Sequence, residues 1–129
     1  MKLVVVLFFF SFAAAPATNS QEHSVFEVDT GNDFYSTCGS IERGSEGNVS
    51  PSDAFKGTYC SGYVLGLIHG ITVGNTSKEM LFCVPSPQLS NLQAIRVVRK
   101  YIADHPETAH EYTAVLAVQA FSKAFPCKK

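Results

Sequence analysis

The sequence predicts an all-α fold, a small bundle of about four helices held by two disulfides. Three observations lead to this prediction. Apolar residues recur every three or four positions in several segments, which is the spacing of one helix face. Capping residues stand where these segments begin, and four cysteines follow an apolar leader. A chain of 129 residues has room for one such domain.

The N-terminal segment has the pattern of a secretory signal peptide. A short positive start precedes an apolar run over residues 3–15, and Ala15 and Ala17 place small residues at a cleavage site. We expect residues 1–17 to be removed on export, which leaves a helical domain at residues 18–129, periplasmic or secreted. The alternative, a membrane anchor, fits less well because the apolar run is short for a bilayer.

The charge balance argues against nucleic acid and membranes as partners. The chain has 10 basic and 11 acidic side chains and a formal net charge of −1. No run of like charges offers a polyanion a binding surface. We therefore expect no nucleic-acid partner, and no membrane contact once the signal peptide is removed.

The four cysteines are expected to form disulfides, since an even number behind a signal peptide is typical of an oxidising compartment. They are Cys38, Cys60, Cys83 and Cys127. The alternative, a zinc site, lacks a C-x-x-C pair and a histidine at ligand spacing. We expect no metal and no other cofactor.

The first helix is expected to begin near Thr30. Thr30 or Asn32 can cap it, and Asp33 suits the positive end of the helix dipole. Gly39 is expected to end it. Residues 40–50 contain two glycines and mostly small polar side chains, so they are predicted to form a surface loop.

The central helix is predicted to start after Ser50 and to end near Gly74. Within it Gly62, Gly66 and Gly70 recur every fourth position, so they share one face. Glycine inside a helix costs roughly 1 kcal/mol relative to alanine. We expect this glycine seam to pack closely against another helix in the core, so that Gly66→Leu would disrupt the fold. The alternative is a helix that forms oligomers.

A second amphipathic helix is predicted after a polar turn at residues 75–79 and a short apolar segment at residues 80–84. Ser86 and Pro87 repeat the cap-then-proline signal. His105 precedes a proline and should end the helix. The predicted buried stripe is Leu89, Leu92, Ile95, Val98 and Ile102.

The last helix is predicted to start with a capping box formed by Thr108 and Glu111. Its expected buried face is Ala114, Ala117, Val118, Phe121, Ala124 and Phe125. The tight turn between the last two helices predicts that they are antiparallel. That topology places Cys83 beside Cys127 and leaves Cys38 to pair with Cys60.

Reactive side chains are few. His69 lies in the apolar central helix and is more simply explained as a core or interface residue than as a base or metal ligand. His105 and His110 flank a turn and suit helix ends. No nucleophile elbow, phosphate loop or zinc-protease motif is present. The residues alone therefore predict a small exported helical domain that is not an enzyme.

Three separated blocks resemble the Rap/Tai family of periplasmic immunity proteins. They are Cys60-Ser-Gly-Tyr-Val-Leu-Gly66, Phe82-Cys-Val-Pro85, and Val97-Val-Arg-Lys-Tyr-Ile-Ala-Asp-His-Pro-Glu107 running on to Ala124-Phe-Pro-Cys127. The resemblance covers residues 31–127. It implies a compact disulfide-bonded helical fold and a periplasmic location. It also implies inhibition, without catalysis, of a type VI secreted peptidoglycan amidase by a homodimer that covers the amidase cleft.

The resemblance carries no motif for effector contact, so the candidate binding residues come from the loops. They are Glu42, Arg43, Glu46 and Asn48 in the first loop, and Asn75, Lys78 and Glu79 in the second. Polar, glycine-containing loops on a rigid scaffold are common binding surfaces. The alternative function is that of a small periplasmic stress or chaperone protein without a cognate effector.

Overall fold

The computed structural model describes residues 27–44, 47, 49–74, 80–85 and 89–128. Its helices are α1 (Gly31–Cys38), α2 (Ser40–Gly44), α3 (Pro51–Gly74), α4 (Asn91–Asp104) and α5 (Thr113–Ala124), with a 3-10 turn at Pro106–Thr108. In these ranges the only extended pairing is a single bridge between Thr30 and Tyr112. The predicted all-α bundle of about four helices is confirmed, with α2 as a short addition.

The start of α1 follows the predicted cap. Thr30 Oγ1 accepts a hydrogen bond from the Asp33 amide at 3.3 Å, and the Thr30 amide donates to the Asp33 carboxylate at 3.1 Å. This reciprocal pair satisfies two amides that the first turn of a helix leaves without a backbone partner. The helix is thereby fixed at the edge of the core, where Phe34 is fully buried.

The segment predicted as a loop after α1 is partly helical, so that prediction is wrong for residues 40–44. Gly39 has right-handed rather than left-handed dihedrals, so the chain continues to turn instead of leaving the helix. The buried Ser40 hydroxyl donates to the Thr37 carbonyl at 2.9 Å. Ile41 lies against Gly57 of α3, with its Cγ1 3.7 Å from the place of a Cβ there. The polar composition of residues 40–44 does not predict this packing, which depends on a contact with α3.

The core lies between α1, α4, α5 and one side of α3. Phe82, which precedes α4, packs against Phe121 with ring centroids 5.2 Å apart. Phe34 meets Tyr63 of α3 at 6.1 Å. The largest fully buried side chains are Phe34, Phe121, Ile95, Leu116, Val64 and Val98.

Both predicted disulfides, and their pairing, are confirmed. Cys38 and Cys60 join α1 to α3 with Cα atoms 5.6 Å apart. Cys83 and Cys127 join the segment before α4 to the segment after α5, with Cα atoms 4.9 Å apart. The antiparallel packing of α4 and α5 brings these chain ends together.

The predicted stripe of α4 and its end before His105 are confirmed, since Ile95, Val98 and Ile102 are buried and the helix stops at Asp104. Its start differs from the prediction. Ser90 caps the helix by accepting from the Gln93 amide at 3.2 Å. The cap predicted at residues 86–87 lies outside the described residues.

The predicted start of α5 is wrong. Thr108 belongs to the 3-10 turn and donates its hydroxyl to the His105 carbonyl, so it caps no helix. The helix begins at Thr113, whose amide donates to the Asp29 carbonyl at 2.8 Å. The buried face is rotated accordingly. It consists of Thr113, Leu116, Ala117, Ala120 and Phe121, whereas the predicted Ala114 and Ala124 are exposed.

The orientation of α3 also differs from the prediction. Of its 24 residues only Gly57, Cys60 and Val64 are buried. Gly62 and Gly66 are exposed on the opposite side, and no described atom lies within 4 Å of a Cβ built at either glycine. Steps of 100° per residue place these glycines nearly opposite Val64. The expectation that the seam packs in the core is therefore wrong. Within the described ranges, no helix combines the length and apolarity needed to cross a bilayer.

Candidate functional site: two exposed surfaces

One candidate surface is formed by α2 and the first turn of α3, which we call the charged edge, with Glu42, Arg43 and Asp53 as its charged residues. Arg43 is exposed, and its Nη2 donates to Asp53 Oδ1 at 2.7 Å. Ser50 contributes twice to this arrangement. Its hydroxyl donates to Asp53 Oδ2 at 2.9 Å and accepts from the Asp53 amide at 3.1 Å. The charged edge is therefore fixed to the start of α3.

Hydrogen bonds at the charged edge favour the charged forms of Arg43 and Asp53. The hydrogen bond from Arg43, with help from Ser50, holds the pKa of the Asp53 carboxyl below its usual range. The same bond raises the pKa of Arg43. At neutral pH Arg43 and Asp53 thus form a paired cation and anion at the charged edge.

Arg99 of α4 fixes the other half of the charged edge. Its guanidinium forms an ion pair with Glu42, and its Nε donates to the Tyr35 carbonyl at 3.2 Å. The guanidinium also lies over the Tyr35 ring, 4.4 Å from the centroid. One side chain therefore joins the end of α1, α2 and α4. Sequence reasoning missed this role because it depends on contacts between distant segments.

The structure places two of the predicted binding residues, Glu42 and Arg43, on the charged edge. The other five, Glu46, Asn48, Asn75, Lys78 and Glu79, lie outside the described residues. The first predicted loop precedes Pro51 and the second follows Gly74, so they leave opposite ends of α3. A helix of this length separates its ends by about 35 Å. The two points at which these loops join α3 are therefore far apart.

The second candidate surface is the side of α3 that faces away from the core. We call it the α3 outer face and define it by Gly62, Leu65, Gly66, His69, Gly70 and Val73. All six residues are exposed. Exposed fractions of 39% for Leu65 and 75% for Val73 mean that much apolar surface is accessible to solvent.

The sequence predicts no functional role for the α3 outer face, because its glycines are expected to pack in the core. A second row of residues at helical spacing indicates the true orientation of α3, because its side chains are larger than those of the glycine row. This row consists of Cys60, Val64, Leu67 and Ile71. Those residues are the ones buried in or packed against the core. The row with the larger side chains faces inward, which turns the glycines outward.

The described histidines are His69 on α3 and two residues, His105 and His110, beside the turn that follows α4. His69, expected in the core or at an interface, is exposed on the α3 outer face. His105 ends α4, with Nδ1 2.8 Å from the Tyr101 carbonyl and its ring stacked on Tyr101 at 4.1 Å. Across the described part of the chain, no three metal-ligating side chains gather.

Comparison with known proteins gives one match. A family model for Rap1a immunity proteins matches residues 30–127, which is most of the chain and includes all five helices and both disulfides. Searches among curated proteins and among solved structures return no match. The family match agrees with the three sequence blocks and with the observed fold. The chain belongs to the family of Rap1a immunity proteins.

Proposed function

We propose that this chain is a periplasmic immunity protein that binds and inhibits a type VI secreted peptidoglycan amidase. In this proposal residues 1–17 direct export, and the mature chain acts as a homodimer without catalysing a reaction. The observation that carries the proposal is the family match over residues 30–127. The two disulfides support it, because such bonds persist in oxidising compartments.

The proposal assigns amidase contact to the charged edge and to the two loops that leave the ends of α3. Charge on an interface steers association and fixes the orientation of the partner. Glu42 and Arg43 are held by Arg99 and Asp53 from neighbouring elements. A surface ordered in this way loses little side-chain entropy on binding, which favours affinity.

The experiment that tests this assignment measures binding of the mature chain to a purified type VI secreted peptidoglycan amidase. In calorimetry we expect Arg43→Ala, and replacement of residues 45–49 by a Gly/Ser linker of equal length, each to raise the dissociation constant at least about tenfold. The matched control is Glu107→Ala, which removes an exposed charge that is not part of the charged edge. Glu107 lies in the 3-10 turn that follows α4. Circular dichroism checks that each variant is folded.

Two results would count against the proposal in different ways. If Arg43→Ala and the variant with residues 45–49 replaced both bind as tightly as the native chain, the amidase contacts another surface. If the native chain itself does not bind the amidase, the proposed inhibition is wrong for this protein.

A further inference from the structure

Tyr112, which directly precedes α5, is the most exposed aromatic residue in the described part of the chain, at 73%. Its backbone is nevertheless held firmly between two hydrogen bonds. The Glu111 carbonyl accepts from the Gly31 amide at 3.0 Å, and the Thr113 amide donates to the Asp29 carbonyl at 2.8 Å. An exposed tyrosine on a fixed backbone loses little conformational entropy when a partner binds, and tyrosine is one of the residues that contribute most to protein interfaces.

A cleft of about 470 Å³ opens beside this tyrosine. It is lined by Thr30, His110, Glu111, Tyr112 and Val115. We call the cleft with these five lining residues the tyrosine corner. Val115 is 46% exposed and supplies an apolar wall, while Glu111 supplies a carboxyl group. The cleft therefore combines an aromatic, an apolar and an anionic group around one concave surface.

The charges around the tyrosine corner indicate what kind of partner fits it. Residues 27–33 and 109–115, which meet here, contain Glu27, Asp29, Asp33 and Glu111 but no Lys or Arg. Among the residues that the structure describes, Asp29 and Glu111 take part in no ion pair. Their negative charge is therefore not neutralised within the described fold, and a complementary partner is a cation.

The same chain shows how a tyrosine and a glutamate together hold a cation. The Arg99 guanidinium lies 4.4 Å from the centroid of the Tyr35 ring and forms an ion pair with Glu42. A guanidinium can make both contacts at once, because its flat face stacks on the ring and its edge donates to a carboxylate. The tyrosine corner offers these two groups, in Tyr112 and Glu111, without a Lys or Arg from the described chain.

We propose that the tyrosine corner binds a lysine or arginine side chain on the surface of the amidase. This adds a second contact to the proposed inhibition and rests on it. The tyrosine corner and the charged edge lie beside opposite ends of α1, whose eight residues span about 12 Å. A partner that buries a standard area of roughly 800 Å² has a footprint about 30 Å across, so one amidase can cover both.

The first test uses no amidase. It follows the backbone amide signals of the isotope-labelled mature chain by NMR during titration with a diarginine peptide whose two ends are blocked. A matched peptide contains citrulline, which keeps the shape of arginine but has no charge. We expect the arginine peptide to shift the signals of residues 29–31 and 109–115 most. The citrulline peptide should bind at least about threefold more weakly.

Substitutions in the tyrosine corner separate the contribution of the ring from that of the charge. Tyr112→Ala and Glu111→Gln should each raise the dissociation constant of the arginine peptide at least about threefold, whereas Tyr112→Phe, which keeps the ring, should not. The matched control is Glu107→Gln, which removes an exposed carboxylate that does not line the cleft. Thermal melting checks that each variant is folded. Shifts centred on the charged edge instead, or unchanged binding by both Tyr112→Ala and Glu111→Gln, would overturn the proposal.

The second test measures the Tyr112 variants against the amidase by calorimetry. Tyr112→Ala should raise the dissociation constant about three- to tenfold, and Tyr112→Phe should bind like the native chain. If the native chain binds the amidase and Tyr112→Ala binds it equally well, the tyrosine corner is not an amidase contact, whereas the proposed inhibition stands. If the native chain does not bind the amidase, both the inhibition and the assignment of the corner to the amidase are wrong. The peptide titration then shows by itself whether the corner binds a cation.

Discussion

Arg99 is a single side chain that orders the candidate surface at the charged edge through contacts to Glu42 and Tyr35. It is largely buried, with 13% of its side chain exposed, and reaches Glu42, the Tyr35 carbonyl and the Tyr35 ring together. The planar guanidinium suits all three contacts, whereas the ammonium of lysine is a point charge that cannot donate in the same fork. Arg99 therefore positions α2 relative to α1 and α4.

We predict that Arg99→Lys weakens amidase binding while the chain remains folded. The loss of ordered contacts to Glu42 should let α2 move and lower affinity by about three- to tenfold, equivalent to roughly 0.7–1.4 kcal/mol. Calorimetric titration with the amidase, beside urea unfolding, measures both effects. Lys100→Arg is the matched control, because Lys100 is exposed and pairs only locally with Asp104 at 2.9 Å. Unchanged affinity of a folded Arg99→Lys variant would refute this positioning role.

We predict that replacing Gly31 and Gly66 by alanine changes the free energy of unfolding in opposite directions. A Cβ at Gly31 would lie 2.5 Å from Leu116 Cδ1 and 3.0 Å from the Ala109 carbonyl oxygen. Because this second contact is backbone, Gly31→Ala forces the chain to shift, which should lower the free energy of unfolding by about 1–3 kcal/mol. Gly66→Ala meets no described neighbour and should raise it by up to about 1 kcal/mol.

Urea unfolding compares the free energies of unfolding of the two alanine variants directly. Opposite signs support the outward orientation of α3. A loss of stability in Gly66→Ala as large as that in Gly31→Ala would mean that the seam is packed after all, as the sequence alone suggested.

At the scale of elements, the sequence predicted well where local signals agree. The bounds of α3 follow from Ser50 at the cap and Gly74 at the end, and the end of α4 follows from the proline after His105. The start of α5 could not be predicted, since it depends on the Asp29 carbonyl, more than eighty residues away in the chain. The orientation of α3 was missed because its stretch from Gly57 to Gly74 contains no Asp, Glu, Lys or Arg, so no charged side marks its outer face.

The two disulfides offer a prediction at the same scale. The chain-entropy relation gives about 3 kcal/mol for Cys38–Cys60 and about 4 kcal/mol for Cys83–Cys127, given sequence separations of 22 and 44. Cys38 and Cys60 are also fully buried. We therefore expect Cys38→Ser with Cys60→Ser to destabilise more than Cys38→Ala with Cys60→Ala, because buried hydroxyls cost free energy when they lack partners. Equal unfolding free energies of these two double variants would contradict this account of the site.

At the scale of the whole molecule, α3 separates two surfaces of different chemistry. The charged edge lies beside its start and presents ions ordered by neighbouring helices. The α3 outer face is exposed, and its defining residues include no Asp, Glu, Lys or Arg. The charged edge lies outside the core, so its residues can change without altering the core. Fold and family membership could be read from the sequence, but this division into two surfaces required the structure.

The most direct test of the central claim is hydrolysis of purified peptidoglycan by a type VI secreted amidase, the proposed partner, measured with increasing amounts of the mature, oxidised chain. The account predicts that hydrolysis falls to background near one chain per amidase molecule. A chain in which both disulfides have been removed should inhibit less. Hydrolysis that continues unchanged at a large excess of the folded native chain would contradict the claim that this protein is an amidase inhibitor.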